Sequence, residues 1–325
     1  MRKFNLKDHA AKRMMDLEKA GRSGQEEEKK KKKKASGPAE ERHPCTTAEL
    51  PGIRIIWSTD VGRVRKTNQD AVIVGNGLAG VADGMGGHNA GEIASGGLRD
   101  GLLQETEGKT PDRDTLEQAV KTVNARLFAM QEGNESLTGM GTTLTVLWPT
   151  EREMIIAQVG DSRAYLIRNG EMNRMTEDHS MVADMVRNGM LTEEQAATHP
   201  MRNYITRAVG TDEQVDVDIY TEKRERGDRW LICSDGLYGL MSRSMLAELA
   251  SVEDPEEAVE KMMRTALENG GRDNISMVLL IDEAGAPEKD EAPEEDEAAE
   301  ENEAAENDGA PAVPDEPAGE EGADA

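Results

Sequence analysis

Five aspartates stand where apolar runs of strand length begin or end. They are Asp70, Asp83, Asp161, Asp235 and Asp273. Any one of them alone fits an ordinary turn, because aspartate is a common turn residue. The strand ends of stacked sheets share one edge, however, and carboxylates gathered there would repel one another unless cations held them. The set as a whole therefore indicates a metal site.

The ligand type indicates which metal such a site would hold. The candidate ligands are oxygens with no histidine or cysteine pair nearby, which suits Mg²⁺ or Mn²⁺ rather than zinc. Two such ions about 4 Å apart could lower the pKa of a bridging water and clamp a phosphoryl oxygen. No serine or cysteine nucleophile is then needed. The glycine-rich stretch Gly84–Gly87 lacks the Lys-Ser/Thr that follows in a nucleotide-binding loop.

Eight apolar runs have the length and composition of β-strands. They are rich in valine, isoleucine and threonine and are bounded by glycine, aspartate and asparagine. The turn Arg168–Gly170 contains Asn-Gly and favours a tight hairpin, so neighbouring strands should be antiparallel. The runs are Ile53–Trp57, Ala71–Val74, Leu78–Ala82, Thr142–Trp148, Met154–Val159, Ala164–Ile167, Trp230–Cys233 and Ile275–Ile281.

Four stretches have the apolar spacing of helices. One follows Asp114 as its predicted N-cap, one follows Gly86-Gly87, one begins at Asp254-Pro255, and one opens with a capping box at Thr192. Blocks of antiparallel strands separated by helix pairs predict an α/β (α+β) four-layer sandwich. Its two stacked, mainly antiparallel sheets are flanked by helix pairs, with a dimetal site at one rim.

Composition divides the 325 residues into three parts. Only 36% are hydrophobic, and much of the net charge of −26 falls in residues 284–325, which carry 17 acidic residues and one lysine. Such a segment buries too little apolar surface to offset its ordering entropy, so it is predicted to be a disordered acidic tail. Residues 1–51, with six consecutive lysines at Lys29–Lys34, are predicted to be a charged, largely disordered arm. Residues 52–283 remain as one folded domain.

Composition also bears on location and on partners. No run approaches the roughly 20 apolar residues of a membrane span, and the N-terminus lacks the apolar region of a secretory signal. Cys45 and Cys233 form no disulfide or metal-binding pattern. We therefore expect a cytoplasmic protein with no integral membrane segment. The lysine run is either a solvated mobile arm or a contact for anionic lipid, nucleic acid or the acidic tail. Without interleaved aromatic residues, nucleic-acid binding is not expected as the main function.

Six motifs, taken in order, resemble those of the type 2C metal-dependent Ser/Thr protein phosphatases. The resemblance spans essentially all of residues 52–283, and the ordered set is specific although a single Asp-Gly is not. The region from Glu177–Ser180 to Ile205–Gly210 resembles the flap of the bacterial branch. The six motifs are Arg65–Asp70, Val81–His88, Gly141–Leu144, Val159–Arg163, Cys233–Leu237 and Gly271–Ile275.

The resemblance implies roles for the metal ligands. Asp83 would bridge two Mn²⁺ or Mg²⁺ ions, and the Gly84 carbonyl would serve one of them. Asp235 and Asp273 would complete the second ion, with Asp70 as a ligand or immediate support. Asp161 resembles the ligand of a third, weaker ion in bacterial members. Gln69 stands where many relatives have glutamate, and we do not count it as a ligand.

The resemblance also implies how phosphate is bound and cleaved. Arg65, five residues before Asp70, matches the family's phosphate-binding arginine, whereas the spacing of Arg63 does not fit. The implied mechanism is in-line attack by metal-activated hydroxide, without a phosphoenzyme. His88 is a candidate general acid, with a metal-bound water or a structural role as the alternatives. His179 is interpreted as structural.

The function implied is hydrolysis of phosphoserine and phosphothreonine on proteins, reversing a bacterial Ser/Thr kinase. The expected partners are phosphorylated proteins, including such a kinase and its substrates, and a monomer is expected. The segment from Asp178 to Gly210 would form a lid beside the site. One alternative is a catalytically inactive sensing or binding module with the same fold. Another is a scaffold whose charged arms carry the function.

Overall fold

The computed structural model describes residues 45–87 and 90–286. The predicted N-terminal arm therefore lies outside the described residues up to residue 44, and the predicted acidic tail lies outside them from residue 287. The first described strand, β1, lies before residue 52 and pairs with β2, which follows that residue. The folded unit thus includes residues that precede the predicted start of the domain.

All strand pairs in the described part of the chain are antiparallel. The first sheet has the strand order β1-β2-β12-β11-β8-β9, and the second has β10-β7-β6-β4-β3, with β5 paired to β4. The strands are β1 Thr46–Leu50, β2 Ile53–Asp60, β3 Asp70–Gly75, β4 Leu78–Met85, β5 Gly141–Thr142, β6 Leu144–Pro149, β7 Glu153–Val159, β8 Arg163–Arg168, β9 Glu171–Arg174, β10 Asp218–Lys223, β11 Arg229–Cys233 and β12 Ile275–Asp282.

Seven α-helices and one 3₁₀ turn, Glu135–Leu137, connect these strands within the described residues. Helices α1 and α2 cover the second sheet, and α5 to α7 cover the first. The helices are α1 Ala90–Thr106, α2 Arg113–Ala129, α3 Met181–Arg187, α4 Glu193–Thr198, α5 Asp235–Tyr238, α6 Arg243–Ala250 and α7 Pro255–Glu268. Of the described helices, none is long and apolar enough to cross a membrane.

The hydrophobic core has three layers because alternate residues of a strand face opposite sides. Along β12, Met277 and Leu279 pack toward the helices, whereas Val278 packs between the sheets. In β4, Ala82 faces the α1–α2 pair and Val81 faces the other sheet. Two sheets with a helix layer on each outer face make a four-layer sandwich, so the predicted fold class is confirmed.

Local sequence signals account for several boundaries of these elements. The Asn169-Gly170 turn joins β8 to β9 with positive φ at both residues, as predicted. Asp254 caps α7, with Pro255 at its first position, and Thr192 makes the predicted capping box of α4. For α2 the prediction was wrong. The N-cap is Asp112, whose side chain accepts from the Thr115 N–H, and Asp114 lies in the first turn.

The structure differs from the strand predictions at one predicted run and at three strands that were not predicted. The run predicted as Thr142–Trp148 is divided into β5 and β6, with Thr143 between them. The sequence patterns also missed β1, β9 and β10. These are short or lie at sheet edges, and β10 is half-buried along most of its length, so they lack a continuous apolar run.

Candidate active site

Asp70 and Asp83 face each other on one hairpin of the second sheet. They are opposite residues in the β3–β4 register, so their side chains leave the same end of the hairpin. The Asp83 N–H donates to Thr143 Oγ1 at 2.9 Å, and the Thr143 N–H donates to Asp83 O at 2.9 Å. Ser234 Oγ, from the first sheet, donates to Asp70 Oδ2 at 2.9 Å. The last bond ties the two sheets together at this edge.

Asp235 and Asp273 reach the same edge from the first sheet. Asp235 is the first residue of α5, just after β11, and Asp273 lies two residues before β12, the neighbour of β11. A Cβ atom at Gly236 would lie 1.8 Å from the Asn274 carbonyl oxygen. The close approach of these two turns therefore requires glycine at Gly236. We call Asp70, Asp83, Asp235 and Asp273 the acidic rim.

Electrostatics show that these carboxylates are neighbours. Burial, followed by the charges of Asp235 and Asp273, raises the pKa of Asp70 to about 7, against the lowering effect of hydroxyl donors. Burial, followed by Asp70 and the other aspartates, raises the pKa of Asp83 well above its ordinary value. These aspartates therefore repel one another in a place that little water reaches. A bound cation relieves such repulsion.

The chemistry of these donors fits Mg²⁺ or Mn²⁺. Asp70 Oδ1 is a buried carboxylate oxygen that meets no hydrogen-bond donor among the described residues. Within residues 45–87 and 90–286, no three acidic, histidine or cysteine side chains form a ready-made cage for one ion. Mg²⁺ does not need such a cage, because it keeps several waters and takes one or two protein carboxylates.

Gly84 follows Asp83 at a point where chain segments nearly touch. A Cβ atom there would lie 2.0 Å from the Gly91 carbonyl oxygen and 2.5 Å from that of Gln69. The Gly84 N–H donates to the Gln69 carbonyl at 3.0 Å. The Asp-Gly dipeptide is therefore held between the start of α1 and the residue before Asp70, which leaves no room for a side chain.

Arg65 lies beside the acidic rim in the loop between β2 and β3. Its Nη2 donates to Asp273 Oδ2 at 2.5 Å. Arg63 is held elsewhere: its Nε donates to the Leu267 carbonyl at the end of α7, and its N–H donates to Gly271 O. Of the two arginines that sequence could confuse, Arg65 is the one in contact with a rim carboxylate.

Asn274 holds the loop that carries Arg65, a role that sequence reasoning missed. Its Nδ2 donates to the carbonyls of Val61 and Thr67 at 3.0 Å each, and its Oδ1 accepts from the Gln69 N–H at 2.8 Å. One amide side chain thus holds both ends of the loop next to Asp273. The Asp-Asn pair before the last strand was the available signal, but it does not reveal partners more than 200 residues away.

The remaining candidate residues fall in three places. Asp161 is 5% exposed in the turn between β7 and β8, where burial, then Asp235, then Asp178 raise its pKa well above the ordinary range. His179 is buried near that turn, in agreement with a structural role. His88 lies outside the described residues.

The segment from Asp178 to Gly210, which we call the flap, is held to the body at its two ends and packs weakly between them. It contains α3 and α4, and its ends are joined by the Ser180–Ile205 bridge. A second bridge pairs Val209 with Thr142 beside β4. In α3 only Val182 is buried, and in α4 no residue is buried.

Comparisons with known proteins agree with this fold and site. The family model described as Protein phosphatase 2C matches residues 65–184. Serine/threonine protein phosphatase PstP of Mycobacterium tuberculosis is 36% identical over 230 residues, 70% of this chain and 44% of that protein. Serine/threonine phosphatase stp of Listeria innocua is 36% identical over 236 residues, 69% of this chain and 94% of the relative. The chain therefore spans less than half the length of PstP but nearly all of stp.

Solved structures agree with these relatives. The M. tuberculosis serine/threonine phosphatase PstP/Ppp superposes with a TM-score of 0.68 at 35% identity, covering 71% of this chain and 99% of that one. The PstP catalytic domain in complex with two manganese ions gives 0.66 at 33% identity, covering 70% and 97%. The chain belongs to the protein phosphatase 2C family of Ser/Thr protein phosphatases.

Proposed function

We propose that this chain hydrolyses phosphoserine and phosphothreonine on proteins at the acidic rim, with Mn²⁺ or Mg²⁺ as its cofactor. One observation carries the proposal: carboxylates from both sheets meet at a single edge, where Arg65 contacts one of them. Cations make that cluster stable, and the arginine makes it a place for a phosphate dianion. Family membership supports the same reaction.

The rim residues divide the work of holding two ions. Asp83, the Gly84 carbonyl, Asp235 and Asp273 would hold these two ions between them. Asp70 Oδ1 is buried without a hydrogen-bond donor among the described residues, and Ser234 fixes the second oxygen of that carboxylate. A third, weaker ion is assigned to Asp161. When bound, such ions supply water activation and polarisation of phosphoryl oxygens.

Arg65 binds and orients the phosphate. Its guanidinium has five N–H donors, and the bond to Asp273 uses one nitrogen. The structure gives its remaining donors no acceptor among the described residues, so they can take two phosphate oxygens side by side, which is the geometry that a guanidinium fork matches. Asn274 keeps the loop of Arg65 in place, so the guanidinium is oriented before the phosphate binds.

The proton for the leaving serine or threonine alkoxide is assigned to His88 or to a water at the site. His88 follows Asp83 by five residues and is the histidine nearest to a rim aspartate in sequence. A general acid must lie within hydrogen-bond reach of the leaving oxygen. The His88→Ala variant distinguishes the two sources: loss of activity toward phosphopeptides, with p-nitrophenyl phosphate cleavage retained, supports the histidine.

An inactive binding module is disfavoured by the residues themselves. Such a module would be expected to lose a rim carboxylate or the arginine, whereas all are present here. Partners then follow from the reaction. We infer that a Ser/Thr kinase supplies the phosphoprotein substrates, that the enzyme acts as a monomer, and that it works in the cytoplasm.

The decisive experiment is Mn²⁺-dependent hydrolysis of p-nitrophenyl phosphate and of a phosphothreonine peptide. Asp83→Asn and Asp235→Asn should each lower kcat by about 1,000-fold or more, because each removes a charge from the proposed metal shell. Asp100→Asn, an exposed aspartate of α1, is the matched control and should keep wild-type activity. Retained activity in both rim variants would favour the inactive-module interpretation.

The scaffold interpretation has a separate test. The Listeria relative is matched along 94% of its length by about 70% of this chain. A chain limited to residues 45–286 keeps β1 and the contact of Ala286 with Arg224. It should therefore retain the kcat of the full chain on a phosphopeptide. Loss of activity in this folded fragment would assign a functional role to the charged arms.

A further inference from the structure

His179 makes two bonds to the residue that precedes Asp161. Its backbone N–H donates to the Gly160 carbonyl at 2.9 Å, and its imidazole Nδ1 accepts from the Gly160 N–H at 2.9 Å. Gly160 is buried and has a φ of +101°. The turn that presents Asp161 is therefore held on one side by a histidine in the root of the flap.

The partners of His179 establish which ring nitrogen carries the proton. Because Nδ1 accepts from Gly160, the neutral ring carries its hydrogen on Nε2, which lies 3.0 Å from Asp218 Oδ2. A proton on Nδ1 would oppose the Gly160 N–H. Burial, assisted by the Arg207 charge, lowers the His179 pKa against the effect of Asp218. The ring is thus a neutral bridge, accepting on one side and donating on the other.

The adjacent residue, Asp178, supports Asp161 from the opposite side. Arg163 donates to Asp178 through Nε at 3.0 Å and Nη2 at 2.6 Å. The same guanidinium lies 3.7 Å from the centre of the Tyr238 ring. The Tyr238 hydroxyl in turn donates to the Asp161 carbonyl at 3.0 Å. The dipeptide Asp178-His179 therefore holds Asp161 both through Gly160 and through Tyr238.

His179 is also connected outward to the far end of the flap. Its carbonyl accepts from the Thr206 N–H at 2.8 Å. Asp218, its Nε2 partner, also accepts from Arg207 Nη1 at 2.5 Å. Both Thr206 and Arg207 belong to the returning segment of the flap, so His179 connects that segment to the Asp161 turn through its backbone and its ring.

We propose that His179 is a positioning residue that sets the metal affinity of Asp161 and connects it to the flap. This inference rests on the proposed role of Asp161 as an ion ligand. The Nδ1 acceptor orients Gly160 and with it the neighbouring carboxylate. The Nε2 donor fixes the ring against Asp218. Partners behind a ligand commonly change metal affinity by about 10- to 100-fold when removed.

Two substitutions at His179 separate the contribution of Nδ1 from that of Nε2. His179→Asn places an amide oxygen near the position of Nδ1 and so keeps an acceptor for Gly160, while it gives up the bond to Asp218. His179→Gln extends past that position and leaves the buried Gly160 N–H without its acceptor. His199→Gln is the matched control, because His199 Nδ1 also accepts a backbone N–H, that of Met201, just after α4.

The measurement is calorimetric titration of the metal-stripped full chain with Mn²⁺, together with kcat on a phosphothreonine peptide. We expect His179→Gln to weaken the weaker class of Mn²⁺ sites by about tenfold, with the tighter class unchanged. His179→Asn and His199→Gln should stay close to wild type in this affinity. Equal effects of Asn and Gln at His179, or wild-type titration of His179→Gln, would overturn the proposal.

Asp161→Asn distinguishes this failure from failure of the site assignment. If it loses the weaker class while His179→Gln keeps it, Asp161 is a ligand and the positioning role is wrong. If it binds Mn²⁺ like wild type, the role of Asp161 is wrong and the inference falls with it. If His179→Gln does not fold, Tyr238→Phe takes its place in the test, because it removes the hydroxyl that donates to the Asp161 carbonyl. It must then weaken the same class by about threefold or more, or the proposal is rejected.

Discussion

The acidic rim and the flap are attached to the same body in opposite ways. Three of the four rim carboxylates lie in, or within two residues of, the strands β4, β11 and β12, which are buried on both faces. The two helices of the flap bury a single side chain, and Met190, just after α3, is 66% exposed. Local stability is therefore expected to differ between the two regions.

The acidic rim is therefore suited to precise positioning of ligands, whereas the flap is suited to adaptation. Metal ligands must be held to fractions of an ångström, which strands fixed by two cores can supply. A surface that meets many phosphoproteins benefits from exposed methionine and a weakly packed helix pair. His179 lies at the junction, since it belongs to the flap and contacts a turn of the second sheet.

The largest effect after loss of a rim aspartate should come from Arg65. Arg65→Ala removes the proposed contact with phosphate. A single charge-assisted hydrogen bond is worth about 1.5–3 kcal/mol, so kcat/KM should fall by at least roughly 10- to 100-fold. Arg63→Ala, two residues away but bonded to the end of α7, should leave kcat/KM close to wild type. Steady-state kinetics on a phosphopeptide measure both, and a similar loss in Arg63→Ala would contradict the distinction.

Removal of the metal should lower Tm by an amount that depends on pH. This effect ranks between the largest and the smallest that we expect. The folded pKa of Asp70 is raised to about 7, above its ordinary value, so the proton-bound folded form is favoured at low pH. That stability is complete below the unfolded pKa near 4 and is lost as the pH rises through about 7. In EDTA, Tm should fall between about pH 5 and pH 7.5, and Mn²⁺ should restore most at the upper end.

Differential scanning fluorimetry with EDTA or Mn²⁺ at each pH measures this effect. Asp70→Asn removes one of the carboxyl groups whose pKa is raised and should reduce the decline of Tm in EDTA. Equal stabilisation by Mn²⁺ at every pH would contradict an acidic rim relieved by cations.

The smallest expected effect compares the same substitution in two places. Val81→Ala, between the sheets, leaves a cavity and should lower Tm by about 4–8 °C. Val182→Ala, the buried residue of α3, should lower Tm by only about 1–2 °C, because the flap can open without global unfolding. Equal shifts would show that flap and body unfold as one unit.

Sequence predicted the parts of the site that local patterns encode. Asp83 could be found because it ends an apolar strand, and Asp70 because it opens one; the structure pairs the two across the β3–β4 hairpin. The layered fold followed from blocks of antiparallel strands separated by helix pairs. For the metal-ligand roles, resemblance added what spacing alone did not.

Other features could not be predicted because they depend on distant partners. Asn274 looks like a turn residue until its bonds to Val61 and Thr67 are seen. His179 was interpreted as structural, and its bond to Gly160 joins segments whose sequences carry no shared pattern. The error at Asp114 arose because Asp112 is an equally good cap two residues earlier, and only the hydrogen bond to Thr115 decides between them.

The place of Asn274 in the chain has a consequence for the order of assembly. A protein is synthesised from its N-terminus, and β12, which follows Asn274 directly, is inserted between β2 and β11. Until that last strand arrives, the first sheet lacks its middle, and the loop of Arg65 lacks the amide that holds it. A growing chain on the ribosome therefore carries Asp70 and Asp83 long before it can bind phosphate. Enzyme activity begins only when the final strand closes the sheet.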